Sequence, residues 1–385
     1  ADPEKELLAL RSQFPALAQS VYMISHSLGA MPADTATALQ EFASLWVNKS
    51  IVAWEDWLAE SKRAAARIER VIGAAPGTVQ MSTNVSQLQA VVASCLDFKA
   101  PRNRVVYTEL NFPTVSYIWK AEERRGAEVV LVRSDDGIGV PTERLLAAID
   151  ERTLIVPVSH VLFRSSFIQD AEAIVRRAHE VGAMVLLDCY QSAGTLPLDV
   201  TALNVDFACG GSVKWLCGGP GAAYLYVRPD LISTLSPRVT GWFASRAPFA
   251  FTMPEQEYAD DIARYGGGTL AIAPLYQARA GAELIGKIGV AAIRQKSLRQ
   301  TQRMLQRVAQ AGYRLNSPTS AEQRGGTVIF DFDGADRVCV ELNRGAYFCD
   351  HRPTAGIRAS PHFYTTDDEV ERFMDEVERL RRQLA

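Results

Sequence analysis

Residues 184–227 read MVLLDCYQSAGTLPLDVTALNVDFACGGSVKWLCGGPGAAYLYV, and this stretch decides the fold. An apolar run from Met184 ends on a carboxylate, Asp188. A second run, Val205 to Cys209, delivers Lys214. A third, Ala222 to Val227, follows the cluster Gly218-Gly219-Pro220-Gly221. Short apolar runs without alternation are the pattern of strands buried on both faces. In open α/β sheets, functional groups collect past the carboxyl ends of such strands.

A carboxylate on one strand end and a lysine on its neighbour suit pyridoxal 5'-phosphate (PLP). The lysine bonds to the cofactor's aldehyde, and the carboxylate keeps the pyridine nitrogen protonated so that the ring can take up the electrons of a carbanion. Taken singly, Asp188 reads as a turn cap and Lys214 as a solvated loop lysine. Together, and followed by glycines, they favour the cofactor.

The same residues carry a resemblance. Lys214-Trp215-Leu216 followed by Gly218-Gly219-Pro220-Gly221 is similar to the lysine segment of the aspartate-aminotransferase fold (fold type I) of PLP enzymes, in the class V aminotransferase group. Within that group the chain looks most like kynureninase, and the matches spread over nearly its whole length. The resemblance implies an α/β large domain with a mostly parallel central sheet and a smaller α+β C-terminal domain. It also implies a small-molecule amino-acid substrate and a homodimer with the active site at the subunit interface.

The totals agree with such a chain. At 385 residues it can bury a large core and is long for one simple domain. A formal net charge of −3 gives no basic field for nucleic acid. No apolar run approaches the roughly 20 residues of a membrane helix, and the polar, acidic start Ala1 to Glu6 is unlike a signal peptide. The cysteines, Cys95, Cys189, Cys209, Cys217, Cys339 and Cys349, lie mostly in apolar contexts without CxxC pairing, the pattern of reduced thiols in a cytoplasmic protein. Histidine and cysteine never cluster at metal-ligand spacing, so no metal is expected.

Along the chain, residues 4–14 suggest a short helix, and helical patterns run from Ala33 to Asn48 and from Trp54 to Ile72. Strands are expected at 104–108, 128–132, 153–158, 327–332 and 338–342. Helices are expected at 87–95, 114–125, 141–149, 169–181 and 367–384, with two long ones between Ala273 and Ala311. Strands alternating with helices of this length mean a parallel sheet. The expected divisions are an N-terminal segment 1–30 packing with the small domain, a large domain 31–284 and a small domain 285–385.

Further site residues follow. Met81-Ser82-Thr83-Asn84-Val85-Ser86 is a strand end with small hydroxyl residues at a helix start, either an ordinary N-cap or an anion site. The resemblance assigns the PLP phosphate to Asn84, Val85 and Ser86, with help from Trp242 and from Thr269 of a second subunit. It places Phe112, in Asn111-Phe112-Pro113-Thr114, against the cofactor ring, Gln191 near the cofactor, and Arg358 on the substrate α-carboxylate. A guanidinium fork matches a carboxylate in a way lysine cannot. His26, in Ser25-His26-Ser27-Leu28-Gly29, stands where kynureninases have asparagine near the substrate, and Arg164 could pair with an acidic substrate group or be solvated.

Kynureninases cleave the β–γ bond of kynurenine. This chain departs from them where they have a tyrosine before the lysine (here Val213), a histidine three residues after the aspartate (here Gln191) and an asparagine after Ser159-His160-Val161 (here Leu162). The expectation is therefore a kynureninase-like PLP enzyme cleaving on the β-side of an amino acid, kynurenine or a related compound. The alternatives are a cysteine desulfurase or C–S lyase, with Cys349 the cysteine nearest Arg358, an aminotransferase or epimerase, and a non-catalytic cofactor-binding scaffold. The absence of a G-x-G-x-x-G after a first strand argues against a dinucleotide-binding protein.

Overall fold

A computed structural model describes residues 3–253 and 255–384. Helix α1 (Pro3–Ala9) opens the chain, strand β1 (Val21–Tyr22) follows, and α2 (Asp34–Lys49) and α3 (Ala53–Ile72) come next. The alternation then runs β2 (Val79–Ser82), α4 (Val85–Ser94), β3 (Arg104–Thr108), α5 (Pro113–Ala121), β4 (Glu128–Val132) and α6 (Thr142–Ala147). It continues through β5 (Thr153–Ser159), α7 (Ala171–Glu180), β6 (Met184–Asp188), α8 (Val200–Leu203), β7 (Phe207–Gly211) and β8 (Ala223–Val227).

These strands form one seven-stranded sheet in the order β2-β8-β7-β6-β5-β3-β4. The pairs from β4 through β7 are parallel, whereas β8 runs antiparallel to both of its neighbours. The reversal has a local cause. A parallel return needs a crossover of a dozen or more residues, usually helical, and the connection from Gly211 to Ala223, which carries Lys214, holds no helix. Alternate residues of the strands enter different cores. Val106, Val156, Val185, Leu187 and Ala208 join one, and Val105, Ile155, Leu186, Phe207 and Cys209 the other. Burial on both faces is why these strands read as continuous apolar runs.

The second unit starts from a helix pair. Helix α9 (Ala273–Ile288) packs on α2 and α3, and α10 (Val290–Gln310) turns away at Gly289, whose φ of +85° suits glycine. Beyond it lie β9 (Arg314–Leu315), β10 (Val328–Asp331), α11 (Ala335–Arg344), β11 (Tyr347–Phe348), β12 (Asp350–Arg352), β13 (Gly356–Ala359) and α12 (Asp367–Leu384). Four of these strands make an antiparallel sheet in the order β12-β13-β10-β9 over its own core. The N-terminal segment joins this unit: β1 pairs with β11, and Ile24 bridges Ser360. We propose the boundary between the units at Gly289, just past the Ile285 expected from the sequence.

One expected strand is a helix. Residues 338–342 lie within α11, because Ala335, Val338, Cys339 and Leu342 are buried at i, i+3, i+4 and i+7, one face of a helix. A short run rich in valine and cysteine fits either element when read without its flanks. Among the described residues, no helix is long and apolar enough to cross a membrane, and no cluster of histidine, cysteine or carboxylate side chains could hold a metal.

Candidate active site

The carboxyl ends of the sheet converge on one cavity of about 250 Å³. Strand β2 leads into Asn84, Val85 and Ser86, β3 into Phe112 and Thr114, and β5 into Ser159, Val161 and Phe163. Strand β6 contributes Asp188, Tyr190 and Gln191, and the loop after β7 contributes Lys214. A mostly parallel sheet puts all of these ends on one edge, so residues far apart in sequence share one space.

The Lys214 amine is pressed against rings. It lies 4.4 Å from the centre of the Tyr190 ring and 5.6 Å from that of Phe112. Burial lowers its pKa to about 8, against an opposing pull from Asp188. Two glycines make this packing possible. A Cβ on Gly211 would fall 2.3 Å from the Tyr190 hydroxyl, and one on Gly29 would fall 2.1 Å from the Lys214 carbonyl oxygen. The turn at Ser25–Gly29 is thus laid directly on the lysine loop, where the Gly29 N–H donates to the Val213 carbonyl at 2.9 Å.

Asp188 is buried, and burial raises its pKa, partly offset by the Tyr190 N–H (2.9 Å) and by Lys214. At the opposite end Asn84 caps α4, its side-chain oxygen accepting from the Gln87 N–H at 2.9 Å. Capping satisfies Gln87 and leaves the first N–H groups of the helix, at Val85 and Ser86, for an anion. The Ser86 hydroxyl sits 3.1 Å from that of Thr114. Phe112 is 45% exposed, its ring meeting Phe163 edge to face at 5.2 Å.

These groups fit PLP. The amine is depressed in pKa and has no hydrogen-bond or ion-pair partner among the described residues. A buried carboxylate, a half-open aromatic ring and a helix start complete the donor set. When bound, the cofactor supplies an electron sink that stabilises negative charge at the substrate α-carbon.

Arg358 is buried behind Phe163, a residue of the cavity wall. Its Nη1 donates to the Phe163 carbonyl at 2.8 Å, and its Nε and Nη2 donate to Asp350 at 2.8 and 2.6 Å. Burial alone would push Asp350 up, but hydrogen bonds from His26 and Arg358 hold its carboxyl well below the usual range. His26 lies behind this pair rather than on the cavity wall, with Nε2 2.9 Å from Asp350 and Nδ1 2.7 Å from the Ser360 hydroxyl. Burial, with the charge of Arg358, lowers its pKa to about 4, so it is a neutral imidazole.

The structure thus brings together Asn84, Val85, Ser86, Phe112, Asp188, Gln191 and Lys214. Gln191 lines the cavity, but its amide also bridges the His26 carbonyl (2.9 Å) and the Trp215 indole N–H (3.0 Å). Arg358 and His26 stand behind the wall, and three further expected residues lie away from the cavity of the single chain. Arg164 hydrogen-bonds Thr354, Trp242 packs with Phe243, Phe249 and Phe251, and Thr269 is exposed. Tyr190 and Asp350 are additions that sequence reasoning missed. Tyr190 follows Asp188 by two places, and Asp350 pairs with Arg358 across the β12–β13 hairpin; reading that hairpin would have revealed the second.

Comparison with known proteins places this geometry. The aminotransferase class-V family model matches residues 30–373. An uncharacterized aminotransferase of Bacillus subtilis, YcbU, is 31% identical over 95% of this chain and 96% of its own length. The kynureninase of Pseudomonas fluorescens is 32% identical over 96% of this chain and 91% of its own. Among solved structures, the apo cysteine desulfurase of Thermococcus onnurineus superposes with a TM-score of 0.86 at 20% identity, covering 97% of each chain. The cystine C–S lyase C-DES, in complex with cysteine persulfide, gives 0.85 at 22% identity over 95% of this chain and 99% of its own, so these two structures speak to the fold alone. The chain belongs to the class-V aminotransferases, with the fold type I architecture, and its cofactor is pyridoxal 5'-phosphate.

Proposed function

We propose that the protein is a kynureninase-like enzyme that cleaves on the β-side of an amino acid, with kynurenine or a related compound as substrate. The observation that supports it best is the placing of the Lys214 amine. It sits between the rings of Tyr190 and Phe112, on an otherwise apolar wall of Val161 and Phe163, with Arg358 hydrogen-bonded to the Phe163 carbonyl behind it. Arg358 would orient the α-carboxylate. Lys214, with its lowered pKa, would take the α-proton on Nζ and return it. Asp188 would fix the charge at the cavity floor, Phe112 would hold the ring plane, and the helix start at Asn84–Ser86 would receive the phosphate. Arg164, which hydrogen-bonds Thr354, could reach an acidic substrate group only by leaving that partner. Val213 offers no proton, so the transfer that kynureninases make from a tyrosine at this place is lost here.

The second reading, a cysteine desulfurase, has less support. Cys349 is only 2% exposed, its sulfur lies 3.7 Å from that of Cys339, and this contact, together with burial, raises its pKa far above the ordinary value. Such a thiol is a poor sulfur acceptor, and among the described residues no cysteine lines the cavity. Incubation with L-kynurenine and 3-hydroxykynurenine, followed by fluorescence of the anthranilates, decides between the readings. Anthranilate release supports the first. Its absence at high enzyme concentration, together with sulfide release from cysteine, would replace it with C–S cleavage.

We take the working form to be a homodimer, in which a partner's Thr269 loop and the Trp242 aromatic cluster complete the phosphate end. Support comes from the position of both residues outside the cavity of their own chain. A monomer in sedimentation velocity would remove this part of the reading.

A further inference from the structure

An arginine that binds a substrate carboxylate must present a fork of N–H groups in a fixed direction, and a free guanidinium on a long side chain does not. Arg358 is fixed. Of its five N–H donors, the Nε–H and one on Nη2 go to Asp350 at 2.8 and 2.6 Å, and one on Nη1 goes to the Phe163 carbonyl at 2.8 Å. One donor remains on each terminal nitrogen.

Asp350 is itself held from several directions. His26 Nε2 lies 2.9 Å from one oxygen, and Arg352 lies 3.0 Å from the other. His26 is held in turn by Ser360, whose hydroxyl is 2.7 Å from Nδ1 and accepts the His26 backbone N–H at 3.2 Å. With Nδ1 taking the serine proton, Nε2 carries the hydrogen that points at Asp350. The backbone sets the pairing, because Asp350 and Arg358 are direct partners across the antiparallel β12–β13 register. Charge also balances: Arg352 and Arg358 face one carboxylate, which leaves one positive charge for one incoming anion.

We propose that Asp350, locked by the Ser360–His26 relay, is a positioning residue. It occupies the side-on fork of Arg358 so that the remaining N–H pair takes the substrate α-carboxylate end-on, and it thereby makes the site select amino acids over the corresponding amines. The proposal rests on the reading of Arg358 as the carboxylate anchor. It gives His26 a role through Asp350 rather than in contact with substrate. A merely structural ion pair would contribute to stability and leave this selectivity alone.

The test compares acids with amines on the holoenzyme. Binding of L-alanine and ethylamine, and of L-kynurenine and its decarboxylated counterpart kynuramine, is followed by calorimetry and by the absorbance of the bound cofactor. Asp350→Asn is expected to weaken both acids by about 10- to 100-fold, the scale of one misdirected hydrogen bond to a charged group, and to leave both amines unchanged. For any acid that is turned over, KM should rise while kcat stays within about threefold. His26→Ala should show the same pattern more weakly, and it carries the test if Asp350→Asn does not fold. Equal weakening of acid and amine, or an acid preference that survives both substitutions, overturns the proposal. If wild-type enzyme shows no preference for acids, the anchor reading of Arg358 and this proposal fall together. If L-alanine binds with the expected preference while kynurenine is not turned over, only the kynurenine reading falls.

Discussion

Lys214→Ala is expected to bind PLP without covalent attachment and to lose turnover by about 10⁴-fold, the upper end of what a positioned proton-transfer group contributes. The loss is large because no second amine can take its place. Among the described residues, Lys214 is the only lysine on the cavity wall, and neighbouring Val213 cannot move a proton. Borohydride reduction followed by peptide mass spectrometry gives the direct readout: the wild-type protein is labelled at Lys214 and the variant is not. The pH dependence has a definite sign. With the pKa lowered to about 8, the reactive neutral amine is half populated at that pH. Attachment of the aldehyde to the apo protein should therefore quicken about tenfold per unit as pH rises toward 8 and level off above it, well before an ordinary lysine at about 10.4. A midpoint near 10, or a variant retaining a tenth of the turnover, would contradict this assignment.

Asp188→Asn keeps the shape of the side chain and removes its charge. Breaking a buried charge pair from one side costs about 3–5 kcal/mol, which at 1.36 kcal/mol per decade corresponds to a fall in turnover of about 10²–10⁴-fold. The effect should appear in kcat more than in cofactor affinity, because the phosphate end of the site, at Asn84 to Ser86, is untouched. Steady-state kinetics with saturating PLP measures it. A fall of less than tenfold would mean that the carboxylate serves only to cap the Tyr190 N–H.

Both of these residues could be named from the chain alone, for a physical reason. A strand buried on two faces leaves an apolar run whose end is visible, so the bounds of β3, β4 and β6 and of the last helix, α12, were readable. Where local pattern was ambiguous, the reading failed: 338–342 has the composition of a strand, yet its buried spacing is helical only when Ala335 is included.

What the sequence by itself determined about this protein was the strand–helix alternation of the large unit, the strand ends carrying Asp188 and Lys214, and through them the cofactor. The tertiary structure alone decided the antiparallel course of β8, the ring of Tyr190 against the lysine, the clasp of Asp350 on Arg358, and the place of His26 behind it rather than in the cavity. These are contacts between segments as much as 324 residues apart, as for His26 and Asp350. Local periodicity reports which face of an element is buried, whereas the partner on that face is chosen by the packing of whole units.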